Sequence, residues 1–377
     1  MTDLPAHAIR MTSTVTEDDR LVLALEETPM PEPGENEVLI RVEASPINPS
    51  DLGVMLSVTD GGSYEAGDGD LPSASAPVPE KLRGFVAPRK GRSIPLGNEG
   101  AGTVVAAGSS LQAQALLGKV VALAGGGFYA TYRIARAAEC LVLPDGHTAE
   151  EGASSFVNPM TALGMIGTMR NEGYKALVHT AAASNLGQML VKLCAEEGIG
   201  LVNIVRSQEQ VDLLHGLGAK HVLDMTADDF GAKLADAIAE EEAYLAFDAV
   251  GGGRLANQIL GAMEAAAVRT NPPTGPYGST QMKQLYIYGG LNTAPTELTR
   301  GFGMKWSLGG WLLTYFLQEA GPEETAKLRA RVGAGLRSTF ASAYTRRISL
   351  AEAVDPEMIA NYNRRATGEK YLVTPQA

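Results

Sequence analysis

Cysteine is nearly absent from the chain: Cys140 and Cys194 are its only two in 377 residues. Two thiols cannot build a disulfide framework, and neither has a second cysteine at metal-ligand spacing, so a reducing, cytoplasmic setting is expected. Basic residues are also in deficit, 31 Lys plus Arg against 43 Asp plus Glu, for a formal net charge of -12. That field repels phosphate backbones and argues against a nucleic-acid partner. Long apolar runs are missing, and the opening MTDLPAHAIRMTSTVTEDDR has no charged-then-apolar signal pattern, so no membrane role is expected. The five histidines, His7, His147, His179, His215 and His221, show no metal-ligand spacing.

What is present suits a soluble α/β protein of two domains. Hydrophobic residues make up 45% and charged residues 20% of the chain, and its length exceeds the usual reach of one core. The first stretch reads as strands separated by glycine and proline turns, with alternation over residues 37–43. Residues 60–95 are rich in Gly, Pro and Ser and read as a long loop or insertion. Past Asp145 the pattern becomes short buried strands alternating with helices, the mark of a parallel sheet. Strands are expected over 175–180, 201–205, 221–224, 244–250 and 284–288. The stretch LGQMLVKLCAEEG repeats Leu186, Met189, Leu190, Leu193 and Cys194 on one helical face. The final segment is expected to return to the first domain, giving boundaries of 1–148 with 320–377 for one domain and 149–319 for the other.

Chemistry enters at ALVHT-AAASNLGQ, a strand, a tight turn and a helix start, the order that presents backbone amides to a dinucleotide pyrophosphate. Of the usual three glycines only Gly187 remains; Ser184, Asn185 and Leu186 precede it. Ser184 and Asn185 could bond a phosphate or their own backbone. The next strand ends in Arg206 and Ser207 where an NAD site would offer a carboxylate, so a 2′-phosphate and hence NADPH is favoured. His179 falls inside a core strand and reads as structural.

The segments SPINPSDL, GNEGAGTVVAAGS, FVNPMTAL, HTAAASNLGQ, LVNIVRS, LGAKHVLD and FDAVGG resemble, in order and spacing, the medium-chain dehydrogenase/reductase superfamily. The likeness is greatest to its zinc-free branch of quinone oxidoreductases and mitochondrial-type 2-enoyl thioester reductases. It implies a GroES-like β-rich catalytic domain and a Rossmann-type, doubly wound cofactor domain. Where zinc-dependent relatives carry Cys and His, this chain has Asn48 and Asn98, and amides are poor zinc ligands, so no metal is expected. The activity implied is reduction of an enone or enoyl thioester by NADPH, with quinone reduction as the alternative and a catalytically inactive nucleotide-binding partner as a further one. The resemblance places Asn48 near the nicotinamide and makes Tyr64, the lone tyrosine between INPSD and GNEG, the donor. It sets Asn158, Thr161, Val250, Gly251, Gly290 and Leu291 against the cofactor, with Lys370 either facing it or solvated. It also implies a homodimer, with WSLGGWLLTYF near the interface. The basic end of the insertion, Arg83, Arg89, Lys90 and Arg92, is either a phosphate-attracting patch or simply solvated.

Overall fold

The computed structural model describes residues 4–364 and 368–377. The chain forms two compact units, 1–157 with 329–377 and 158–328.

The first unit is built on antiparallel sheets. His7–Val15 and Arg20–Pro29 form a hairpin in full register, closed by Asp19 in the left-handed region at φ 61°. Alternation along both strands sends Met11, Leu21 and Leu23 into the core. Composition marked 60–95 as loop, and here the structure differs. Ser73–Pro77 pairs with Arg20–Ala24, and Ile94–Pro95 pairs with Thr12–Ser13. Ala74, Ala76, Val78, Val86 and Leu96 are all buried. Small residues disguise the strand: alanine at alternate positions supplies an apolar face too weak to register as hydrophobic periodicity, while Ser and Pro face outward.

A second sheet centres on Glu37–Pro46, flanked by Glu99–Ala107 and Tyr132–Arg136. Far along the sequence Tyr371–Val373 returns to this strand, pairing antiparallel with Ser45 and Pro46 and parallel with Arg346–Ile348.

The second unit is an α/β layer around a six-stranded parallel sheet. Its order is His221–Asp224, Gly200–Val205, Ala176–Thr180, Leu245–Asp248, Lys283–Ile287, Trp306–Gly310. All five expected strands are present, each within a few residues of its expected bounds. The helix Asn185–Glu197 buries Leu186, Met189, Leu190, Leu193 and Cys194, and Gly198 ends it in the left-handed region at φ 64°. Among the described residues no helix is long and apolar enough to cross a membrane.

Candidate active site

In the second unit, the strand Ala176–Thr180 runs into a turn that Ala181 enters at φ 50°. Ser184 caps the following helix, its Oγ accepting from the Gly187 amide at 3.2 Å. Its oxygen thus bonds the backbone of the helix start. Gly187 sits so close to the strand that a Cβ would lie 2.0 Å from the Ala182 carbonyl oxygen. Only glycine lets the helix begin there. Leu186 is buried, Asn185 half-buried and Ser184 exposed.

Across the sheet, Asp248 is fully buried and organises the loop after its own strand. It accepts from Thr180 Oγ1 at 2.7 Å, from Val250 N at 2.9 Å and from Gly251 N at 3.1 Å. Thr180 Oγ1 in turn accepts from Ala249 N at 2.8 Å. Val250 and Gly251 are thus tied to the strand Ala176–Thr180 by a residue the sequence reading passed over. An acid between Phe247 and Ala249 was the available signal, since a buried carboxylate must have partners. Leu291 N donates to Ala249 O at 3.1 Å, and Gly251–Gly253 pairs with Asn292–Thr296, which brings Gly290 and Leu291 to the same loop pair. A cavity of about 500 Å³ opens beside it, lined in part by Tyr288, Gly290, Gly310, Trp311, Leu312 and Tyr315.

Arg206 is exposed, and its guanidinium has no acidic partner among the described residues. Its backbone amide is held by Gln210 Oε1 at 3.0 Å. Ser207 caps the helix Gln208–Gly216. Asn158 and Thr161 are buried in the helix Val157–Asn171. His179 bonds Tyr288 Oη through Nε2 at 2.7 Å, and burial pushes its pKa down to about 4, so it stays neutral and structural.

In the first unit Asn48 and Lys370 meet in a buried polar cluster. Asn48 caps the helix Pro49–Met55, and Asp51 Oδ2 accepts the Asn48 amide at 2.9 Å while Oδ1 accepts the Asn98 amide at 2.8 Å. Glu99 accepts from Asn48 Nδ2 at 2.8 Å and from the amides of Phe156 and Val157 at 2.8 and 2.9 Å. Burial raises the Glu99 carboxyl, against Lys370 and these donors. Burial likewise pushes Asp51 up to about 7. Lys370 is no solvated lysine: it is buried and donates to Ser154 Oγ at 2.7 Å. Burial pushes its pKa down to about 8 although Glu99 and Asp51 favour its charge. Sequence position could not show this, because Ser154, Glu99 and Asp51 lie more than two hundred residues away.

Tyr64 is 6% exposed, within the apolar core of the first unit rather than in an open loop. Thr59 Oγ1 donates its one proton to Leu56 O at 2.6 Å, so the 2.9 Å contact has Tyr64 donating to Thr59. Burial pushes the phenol up to about 12. Three of the four cations at the basic end of the insertion are also spent internally, while Arg92 is exposed. Arg83 and Lys90 pair with Asp19 at 3.3 and 2.6 Å, and Arg89 donates to Ser13 Oγ and Val54 O.

Both amide side chains are occupied, Asn48 by Glu99 and Asn98 by Ser50 Oγ at 3.1 Å. Among the described residues one grouping has three metal-ligating atoms within reach, His221, Glu240 and Glu241. Lys220 already contacts both of its carboxylates at 2.7 Å.

Residues 34–145 match the alcohol dehydrogenase GroES-like domain family. The chain is 30% identical to the chloroplastic quinone-oxidoreductase homolog of Spinacia oleracea over 60% of this chain and 63% of that one. It is 28% identical to the mitochondrial enoyl-[acyl-carrier-protein] reductase of Bos taurus over 55% and 50% of the two chains. The matches thus span about half to two thirds of these relatives' lengths. A solved structure of a putative NADPH:quinone reductase from Mesorhizobium loti superposes with a TM-score of 0.73 at 28% identity, over 99% of this chain and 100% of that one.

Proposed function

We propose that the chain is a zinc-independent, NADPH-dependent reductase of the medium-chain dehydrogenase/reductase superfamily, acting on an activated carbon–carbon double bond, an enone or enoyl thioester. The observation that carries the cofactor assignment is the pairing of two features of the second unit. Gly187 closes the turn so that the helix start can present amides to a diphosphate. One strand over, exposed Arg206 stands where a carboxylate would repel a 2′-phosphate.

NADPH bound there supplies a hydride to the electron-poor β-carbon. The residues of this chain do the rest. Ser184, Asn185, Leu186 and Gly187 form the phosphate turn, and Arg206 with Ser207 receives the 2′-phosphate. Asp248 fixes Val250 and Gly251, and with Gly290 and Leu291 these form the loops assigned to the nicotinamide ribose. Asn158 and Thr161 are assigned to the same cofactor. Asn48, anchored by Glu99, is the polar group offered to substrate. With the amides of residues 48 and 98 committed to protein partners, the donor set suits no zinc ion, and an acceptor that is already polarised needs none.

The test is a screen of the purified protein with an enoyl-CoA, a simple enone and a benzoquinone, following NADPH absorbance. Turnover of the first two supports the reading. Turnover of the quinone alone makes it a quinone oxidoreductase, and tight NADPH binding with no turnover makes it a nucleotide-binding partner protein. We also assign a homodimer through the sheet edge at Trp306–Gly310, where Met304 and Leu312 are exposed, and a cytoplasmic location, in keeping with two unpaired thiols. Light scattering and cell fractionation check these two assignments.

A further inference from the structure

In the second unit, away from the cofactor turn, the fold gathers a donor set that histidine spacing alone did not show. His221 opens the edge strand His221–Asp224, and Glu240 and Glu241 lie in the last turn of the helix Phe230–Glu241. His221 Nε2 stands 3.0 Å from Glu241 Oε1 and 3.6 Å from Glu240 Oε2. One ligand atom from each of the three residues falls within 4.8 Å of the others. A tetrahedral zinc ion with bonds of about 2.1 Å sets its ligands roughly 3.4 Å apart, and both distances from the imidazole lie near that edge.

The surrounding backbone holds the set in place. Pairing with Val202 and a bond from Asn203 Nδ2 to His221 O at 3.1 Å fix the start of the edge strand. Gly200 leaves room for the carboxylate, since a Cβ there would run into Glu241 Oε2. His221 and Glu241 are half-buried, whereas Glu240 is exposed. A helix carboxyl end carries partial negative charge, and this one has no basic residue in its last turn. Two carboxylates there require a cation from elsewhere, and Lys220 supplies it, with Nζ 2.7 Å from Glu240 Oε1 and 2.7 Å from Glu241 Oε1. Its bond holds the Glu241 carboxyl below its ordinary value. A cation is thus already seated between the two carboxylates, on an exposed side chain whose surface ion pairs are weak and readily exchanged.

We propose that His221, Glu240 and Glu241 form a site for a divalent transition-metal ion of the zinc kind, and that Lys220 is the internal cation which the ion displaces. One imidazole nitrogen with two carboxylate oxygens is a borderline donor set, suited to zinc over magnesium or calcium, which take six or more oxygens. The neutral imidazole moves its proton to Nδ1 so that Nε2 can coordinate, and the ammonium swings out to water. The second positive charge of the metal then neutralises what a single ammonium leaves over. The site lies at the amino ends of the parallel strands, where His221 and Gly200 each begin one, while the turn over 181–187 follows the carboxyl end of Ala176–Thr180. The ion therefore acts on stability, by joining the edge strand to the helix end, and the zinc-independent chemistry above is untouched.

The experiment titrates zinc chloride by calorimetry into the full-length protein, first stripped with EDTA and held in a non-chelating buffer. Lys220→Gln, His221→Gln and the double variant are run alongside, each shown to be folded by circular dichroism. Lys220→Gln removes the competing cation and should bind one zinc per chain about tenfold tighter than wild type. His221→Gln keeps a donor for Glu241 but offers zinc a poor ligand, and should bind about 100-fold more weakly than wild type. The double variant should lose the gain of Lys220→Gln. Glu240→Gln, at the exposed carboxylate, repeats the test without touching the half-buried pair. Zinc should raise the Tm of wild type, raise that of Lys220→Gln further, and leave His221→Gln unmoved, with NADPH affinity the same in all. Magnesium at equal concentration should leave every Tm unchanged. Equal zinc binding by wild type and His221→Gln overturns the proposal, as does a Lys220→Gln that binds no tighter than wild type. A magnesium effect as large as that of zinc also overturns it, because the carboxylates alone would then be holding the ion.

Discussion

Lys283 and Glu264 meet at 2.6 Å with the lysine side chain wholly buried. Ser279 Oγ and Gln281 O take the remaining ammonium protons at 3.0 and 2.9 Å, and Glu264 also accepts the Ser279 amide and hydroxyl. The pair thus pins the loop before Lys283–Ile287 to the helix Leu255–Thr270. Replacing Lys283 by Met leaves a carboxylate without its counter-charge, which costs about 3–5 kcal/mol. Urea unfolding should show that loss, and the double variant with Glu264→Gln should recover part of it.

The same pair gives stability a direction with pH. Burial works to raise the Glu264 carboxyl, but the Lys283 and Ser279 bonds outweigh it and hold the group below its ordinary value. A depressed carboxylate binds fewer protons folded than unfolded, so its contribution is full above the ordinary carboxylate range and is lost as pH falls. Unfolding free energy measured on wild type and Lys283→Met should converge in acid.

Asp51 works in the opposite sense. Raised to about 7 by burial, it holds its proton in the folded chain when the unfolded chain has released it, so this group's contribution declines as pH rises from about 4 to 7. Asp51→Asn should flatten that decline in urea titrations across the interval, at the cost of one of the two backbone amides Asp51 accepts.

Gly187→Ala puts a methyl 2.0 Å from a backbone carbonyl, and the helix start must shift to accommodate it. NADPH affinity, read by fluorescence, should fall by about tenfold or more, which corresponds to roughly 1.4 kcal/mol.

Arg206→Ala removes the exposed guanidinium without touching the backbone bond to Gln210. The ratio of NADPH to NADH affinity should drop by about an order of magnitude at low salt. An unchanged ratio would remove Arg206 from the cofactor site.

Much of the second unit was legible in the sequence because parallel strands are near-continuous apolar runs and helices repeat on one face. The Leu186 to Cys194 stripe is an example, and Gly187 stood out by its place after a strand. The first unit was harder. Ser73–Pro77 hid behind alanines, Tyr64 sat in a stretch whose composition suggested solvent, and Lys370 depends on Ser154 and Glu99, partners that no local pattern connects. Pairwise long-range polar contacts leave no periodic trace, so the strand, turn and helix start around Gly187 could be read and the buried polar cluster could not.

The return of Tyr371–Val373 to pair with Ser45 and Pro46 carries a consequence for biosynthesis. A ribosome releases 158–328 with all six of its strands available to one another, whereas the earlier sheet waits for a strand made more than three hundred residues later. The second unit can consolidate first, while the Ser45 and Pro46 end of the strand Glu37–Pro46 lacks its late partner until synthesis is nearly over, the interval in which chaperone capture or edge-to-edge misassembly would strike there.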